Sequence, residues 1–195
     1  EGCGESRHGK AEGRGPQTLA RSGDEKIGEI LDALENRGYL ENSLVIFCSD
    51  HGENLGDHGM AYKWLMYDTI THIPLIIRYP DERRRGDQVH DLVSLMDLGP
   101  TILEAAGISA PTYLEGSSLI PYSVPGAQIV PRDYVYCEDN YQIMIRSKTH
   151  KMVYYIGQKN GELYDLESDP TELWNRWSDD KYREIKTTMK EQLME

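Results

Sequence analysis

The chain has 195 residues, of which 38% are hydrophobic and 28% charged, with a formal charge of −12 at neutral pH. So acidic a surface repels nucleic-acid phosphates, and no basic face with interleaved aromatics offsets it, which excludes a nucleic-acid partner. No apolar run approaches the ~18 residues of a membrane-spanning helix, and the first residues contain no apolar signal-peptide core, so neither a membrane helix nor a leader is expected.

Residues 1–21 are rich in Gly, Arg and Glu and nearly devoid of apolar side chains. Too little surface can be buried there to offset chain entropy, and a disordered or non-native segment is expected. A helix follows. Ser22 and Glu25 are spaced as a capping box, Ile27, Ile30, Leu31 and Leu34 form one apolar stripe, and Gly38 suits the position just past the helix end. Leu44 to Cys48 reads as a buried strand, and a helix feeding a buried strand is typical of α/β layers. A second strand is expected at Ile73–Ile77, with Pro74 near its start. Residues 81–88 form a charged loop whose Arg83-Arg84-Arg85 run is solvated. Leu92–Met96 is apolar without a clear period. A short helix is predicted from Pro100 to Gly107, and the proline-rich stretch 109–132 is a long surface connection.

The pattern changes at residue 133. Short strands are predicted at Tyr134–Cys137, Ile143–Arg146, Met152–Ile156 and Glu162–Leu166, with Lys159-Asn160-Gly161 turning the last two into a hairpin. A terminal helix over about 180–194 carries Tyr182, Ile185, Met189 and Leu193 on one face. Three divisions result: 1–21, an α/β portion over 22–132, and a small antiparallel subdomain over 133–195. The three cysteines match no zinc motif, and Cys48 and Cys137 read as small core residues.

The chemistry concentrates in Ser49–Lys63, SDHGENLGDHGMAYK. Ligands of open α/β sheets gather beyond the carboxyl ends of strands, where Asp50 and His51 stand, and Gly52 permits a sharp turn. A carboxylate suits a hard divalent cation such as Ca²⁺ or Mg²⁺, and the imidazole can coordinate it or contact a bound substrate. Lys63 could return to the same cleft and stabilise charge on a sulfuryl or phosphoryl oxygen. Asp-His-Gly is also a common turn sequence, so local chemistry alone leaves the metal site open. The ordinary readings make His58 a loop histidine, His72 structural, and Glu53 and Asp57 supporting or exposed. Tyr141, Arg146 and Tyr154 read as sheet surface or core, with a cleft mouth as the alternative.

The run SLVIFCSDHGENLGDHGMAYKWLMYDTITHIPLIIRYP resembles the formylglycine-dependent sulfatases of the alkaline-phosphatase superfamily, closest to the iduronate- and choline-sulfatase-like branches. Later pieces agree in order: Val93–Thr101 before the turn Ala106-Gly107-Ile108, then Gly116–Leu119, then Glu162–Leu166 with Asp169-Pro170 and Glu172. The resemblance covers about residues 24–195. It implies the carboxy-terminal part of an alkaline-phosphatase-like α/β sandwich, followed by a small antiparallel sheet and a closing helix. It implies Asp50 and His51 at a divalent cation site, usually calcium, Lys63 on the sulfate and the leaving oxygen, and a small-molecule or saccharide sulfate ester as substrate.

Family members also carry an early Asp-Asp metal pair and a Cys-x-Pro-x-Arg type motif whose cysteine becomes formylglycine, the nucleophile. Only 49 residues precede Asp50 here, and Cys3-Gly4-Glu5-Ser6-Arg7 echoes that motif only superficially, with Glu5 in place of proline or alanine. The expectation is therefore a sulfatase fragment that is inactive alone, its first ~20 residues foreign to the remainder. Two alternatives stand beside it: a phosphonate monoester or phosphodiester hydrolase of the same superfamily, and a non-catalytic binding module.

Overall fold

The stripe Ile27, Ile30, Leu31 and Leu34 lies on helix α1 (Pro16–Glu35). This is a computed structural model that describes residues 16–81 and 83–194, and its contacts divide the chain into two units between Ser43 and Leu44. In the first unit α1 begins at Pro16, within the stretch expected to be disordered. A proline suits the first helical position because its missing N–H would have had no helical partner there. Ser22 therefore lies inside the helix rather than capping it, and Glu25 accepts from Arg21 Nε at 3.3 Å. Ile27 and Ile30 are exposed, so the apolar stripe is not a buried seam. Gly38, at φ 70°, leads into a short 3₁₀ turn at Tyr39–Asn42. Residues 1–15, including Cys3, lie outside the described residues.

The second unit opens with strand β1 (Val45–Cys48), which pairs antiparallel with β2 (Leu75–Arg78) in the register Val45↔Arg78 to Cys48↔Leu75. The short helix α2 (Asp68–Thr71) lies between them in sequence. The apolar run at 44–48 reads as a buried strand, but Phe47 and Cys48 are exposed. The reason is the width of the ribbon. Among the described residues no third strand joins it, and neither buried apolar cluster includes a residue of β1 or β2. Cys48 is accordingly not a core residue.

Helix α3 (Leu98–Ala105) starts two residues before Pro100, because a 3₁₀ turn at Leu95–Asp97 feeds it directly. Buried Asp97 organises this region. Its Oδ2 accepts the Ser94 amide at 2.7 Å, while Oδ1 accepts the Ser117 amide at 2.8 Å and Arg132 Nη2 at 2.6 Å. Thr101 Oγ1 donates to the Asp97 carbonyl at 2.5 Å and accepts the Leu119 amide at 2.8 Å. A Cβ at Gly116 would stand 2.0 Å from the Met96 carbonyl oxygen, so only glycine allows this approach. The 109–132 connection is thus fastened to α3 at Gly116–Leu119 and again at Arg132. That accounts physically for the ordered landmarks at 93–101 and 116–119.

Strands β3 (Val135–Glu138), β4 (Gln142–Arg146), β5 (His150–Tyr155) and β6 (Gly161–Asp165) form an antiparallel meander in chain order. Register puts Ile145, Met152 and Leu163 in one row, which packs against Met189 of helix α4 (Arg183–Met194) together with Trp177, Ile185 and Leu193. Each of these buried apolar side chains contributes roughly 1.5–3 kcal/mol. The opposite face carries Met144 and Val153, which close on Met66 with Cys137 and Tyr155 at the margin. Burial pushes the Cys137 thiol above its usual pKa, which keeps it protonated and inert. Arg146, Lys151 and Tyr164 share this second face, in register with one another. The sheet therefore takes α4 on one side and the segment around Met66 on the other, and that segment follows Lys63 by three residues. Among the described residues no helix is long and apolar enough to cross a membrane.

Candidate functional site

Beyond Cys48 the chain turns through Ser49-Asp50-His51-Gly52, and a few local bonds set the turn. Ser49 Oγ donates to the His51 carbonyl at 2.6 Å, and the His51 amide donates to Asp50 Oδ1 at 2.9 Å. Gly52 donates its amide to the Ile70 carbonyl at 2.8 Å. Sequence suggests that Gly52 serves a sharp turn, but it is not among the glycines with positive φ. What it supplies is room: a Cβ there would lie 1.9 Å from the Thr69 carbonyl oxygen. Asn54, fully buried, accepts from Thr69 Oγ1 at 2.6 Å. Helix α2 is thus the seat of the 50–54 turn.

Asp50, His51 and Lys63 come together. His51 Nδ1 lies 2.7 Å from the Gly52 carbonyl. A carbonyl only accepts, so Nδ1 carries the proton and Nε2 keeps its lone pair. That lone pair stands 3.4 Å from Asp50 Oδ2 and 2.6 Å from Lys63 Nζ. Two electron-rich atoms at this separation repel unless a cation lies beside them, and the Lys63 ammonium supplies one. The His51 backbone N–H, above all, holds the Asp50 carboxyl below the usual carboxylate range, with the Lys63 ammonium adding to it. The Asp50 carboxylate is 84% exposed and His51 34%, so the pair opens to an approaching ligand. Among the described residues no group of three or more His, Cys, Asp or Glu side chains converges, so Asp50 and His51 form a two-donor edge rather than a cage.

The other sequence candidates have different work. His58, at φ 55°, stacks flat on Tyr67, with ring centroids 3.7 Å apart, which makes it a loop support. Glu53 Oε1 accepts the Tyr62 amide at 2.7 Å, holding Tyr62 at φ 86° directly before Lys63. Asp57 is exposed. His72 is exposed, its Nδ1 4.0 Å from Asp68 Oδ2. Arg83 and Arg84 pair with Asp81 and Asp87 on the surface. Tyr141 is exposed, Tyr154 lies under the Lys190 ammonium, and Arg146 is turned to Asp68 at 3.1 Å. A cavity of about 880 Å³ runs along β2 and the 83–95 segment, but Asp50, His51 and Lys63 do not line it. The sequence candidates thus gather in an open cluster apart from that hollow.

One group escapes sequence reading altogether. Lys151, fully buried on the second face of the sheet, donates to the Met66 carbonyl at 3.0 Å, meets Asp68 in a short ion pair and lies 2.6 Å from Glu172 Oε1. The available signal is its place in the strand alternation: a lysine in line with Val153, where an inward apolar residue belongs.

Residues 56–195 match the family described as N-sulphoglucosamine sulphohydrolase, C-terminal. The chain belongs to the sulfatase family. It corresponds to the carboxy-terminal part of such proteins, with the alkaline-phosphatase-like α/β fold. Residues 14–86 also match a family described only as of unknown function, DUF229. Among curated sulfatase relatives, an N-acetylglucosamine-6-O-sulfatase of Bacteroides thetaiotaomicron is 31% identical over 180 residues, 82% of this chain and 31% of its own. Human arylsulfatase K is 36% identical over 169 residues, 78% of this chain and 31% of its own. Among solved structures, one in complex with its substrate D-glucosamine-2-N,6-O-disulfate superimposes with a TM-score of 0.75 at 29% identity, covering 88% of this chain and 37% of the other. The phosphonate monoester hydrolase of Agrobacterium radiobacter superimposes with a TM-score of 0.79 at 31% identity, covering 88% and 38%. The sulfatase-family chain described here therefore spans about a third of the length of the proteins it matches.

Proposed function

We propose that this chain furnishes the carboxy-terminal part of a sulfuric ester hydrolase, with Asp50 and His51 as ligands of a divalent cation, calcium by family habit, and Lys63 as the sulfate contact. One observation carries the reading: an ionised, open carboxylate, an imidazole lone pair and an ammonium meet within hydrogen-bond reach at the carboxyl end of β1. The donor set fits a hard cation, because Asp50 Oδ2 and His51 Nε2 lie 3.4 Å apart and the Gly52 carbonyl fixes the tautomer that leaves a lone pair on Nε2; that lone pair now meets Lys63 Nζ at 2.6 Å and becomes a ligand when the ammonium turns to the ester. When bound, such a cation supplies charge stabilisation to an anionic ester. Lys63 adds a hydrogen-bonding cation to the ester's non-bridging or leaving oxygen, an interaction that strengthens as charge develops there. Glu53 holds the backbone from which Lys63 projects, and Gly52 sets Asp50 and His51 against α2. The attacking group, formylglycine in the enzymes the chain resembles, is not among Asp50–Lys63, and the reading assigns no turnover to Asp50, His51 and Lys63 by themselves. The substrate class is a small or saccharide sulfate ester, in line with a neighbour solved with a disulfated glucosamine.

The test is calorimetric titration of the purified chain with Ca²⁺, alongside Asp50→Asn, and an aryl sulfate assay of the same samples. Binding that Asp50→Asn weakens at least tenfold, without turnover, supports the proposal. Binding indifferent to Asp50, or metal-dependent turnover by the chain alone, overturns it. A second reading, a phosphonate monoester or phosphodiester hydrolase, draws on the TM-score of 0.79 to such an enzyme. Comparing a sulfate ester with a phosphonate monoester on a protein of the relatives' full length that carries this chain separates the two.

A further inference from the structure

We infer that Lys151 is a positioning residue: its buried ammonium latches the segment Met66–Thr71 to the antiparallel sheet and thereby sets the place of the Asp50–Gly52 turn. This rests on the proposed site for its functional meaning, but not for its geometry. The latch begins on β5, where Lys151 is 0% exposed and its Nζ reaches the Met66 carbonyl at 3.0 Å, Asp68 Oδ1 and Glu172 Oε1. Glu172, a non-glycine residue held at φ 57°, turns its other oxygen to the Asp68 amide at 2.6 Å. Arg146 adds two bonds to Asp68, at 3.3 and 3.1 Å. Asp68 is the first residue of α2, and α2 contacts the site turn at three points. The Ile70 carbonyl accepts Gly52 N–H, the Thr69 carbonyl fills the space above Gly52, and Thr69 Oγ1 donates to Asn54.

A charge this deep is costly unless every polar partner is in place, and so it tolerates few geometries. An apolar side chain at 151 could fill the same space between sheet and loop, but it would let the 66–71 segment slide. The ammonium instead fixes two carboxylates and a carbonyl at hydrogen-bonding distance, and the 50–54 turn inherits that placement through α2. The small carboxy-terminal sheet is thus part of the site's framework rather than an appendage to it.

The experiment is amide hydrogen exchange on the full chain and on Lys151→Met, read at Gly52 and, as an internal reference, at Met152 in β5 and at Leu163 in β6, whose amide donates to Asn175 Oδ1 at 3.2 Å. Loss of the latch speeds exchange at Gly52 by about tenfold or more, while the two sheet amides stay within about twofold of wild type, because local opening and global opening are separate events. Unchanged exchange at Gly52 in a folded variant overturns the inference, as does a loss of protection common to all three amides. Should Lys151→Met fail to fold, Glu172→Gln is read in the same way: its one oxygen serves the Asp68 amide while its N–H₂ faces the Lys151 ammonium, so the latch loses one charge and one acceptor, and the same two outcomes decide. Calcium titration of the variants tells the two proposals apart. Wild-type chain that binds no Ca²⁺ removes the metal reading and leaves the exchange result to judge the latch. A latch variant with loosened Gly52 and weaker Ca²⁺ binding ties the two together.

Discussion

The Thr69 carbonyl oxygen lies 1.9 Å from the point where a Cβ on Gly52 would stand. The obstacle is backbone, anchored in α2 by Asp68, and cannot swing aside as a long side chain would. Gly52→Ala therefore pushes the turn off α2 and breaks the 2.8 Å bond from Gly52 to Ile70. The expected loss is about 1–3 kcal/mol. It appears as a lower urea midpoint with an unchanged slope, accompanied by weaker Ca²⁺ binding. A variant as stable as wild type that binds equally well would show that the close approach has no role.

Asp97 offers a second case in which one buried side chain serves several partners. Asp97→Ala removes the acceptor of the Ser94 and Ser117 amides and of Arg132 at once, with an expected cost of about 3 kcal/mol or more. Asp97→Asn retains an oxygen for Ser117 and Arg132 but turns an amide N–H₂ toward the Ser94 N–H, so its midpoint should fall between the other two. Equal midpoints for Ala and Asn would mean that the Ser94 contact carries the whole effect.

The same two residues show where sequence speaks and where it is silent. The four-stranded meander, its last hairpin and α4 were legible because strand alternation and helical periodicity are local. The alignment of Ile145, Met152 and Leu163 into one apolar row comes from the register of the strands, which the structure supplies. Membership of the sulfatase family was legible from ordered motifs. The work of Asp97 and Lys151 was not, because each depends on partners brought close only by folding; Lys151 meets Met66 from 85 residues away. The exposure of Phe47 and Cys48 in β1 is not legible for a related reason. Five apolar residues indicate that an interior face exists, and they say nothing about which layer covers it.

That exposed face makes a prediction of its own. Phe47 and Ile76 sit opposite each other across the β1–β2 ribbon, at 40% and 62% exposure. An apolar face on a ribbon that, among the described residues, no third strand joins favours association between copies. Phe47→Thr/Ile76→Thr should shift the chain toward monomer in sedimentation velocity and raise its soluble yield, with little change in the far-UV spectrum. If the double variant associates as strongly as wild type at equal concentration, this face is not the adhesive one.

Acid should release the latch in a direction fixed by Asp68. Burial acts on this carboxyl first and would raise its pKa, but Lys151, by charge and by hydrogen bond, and then Arg146 pull it down, and the net shift is below the ordinary value. A depressed folded-state pKa means that the unfolded chain takes up the proton more readily. The stabilisation is therefore complete above the unfolded value, about 3.9, and is lost as pH falls through the lower folded value. Asp68→Asn removes the titration and keeps the shape. The gap in urea midpoint between wild type and Asp68→Asn should hold steady over about pH 5 to 7 and narrow below about pH 4, as the wild-type carboxylate is protonated. The carboxylates remote from Lys151 are present in both proteins and largely cancel in the difference. A gap that widened on acidification would require a raised Asp68 pKa, and with it a cluster in which desolvation outweighs the two cations.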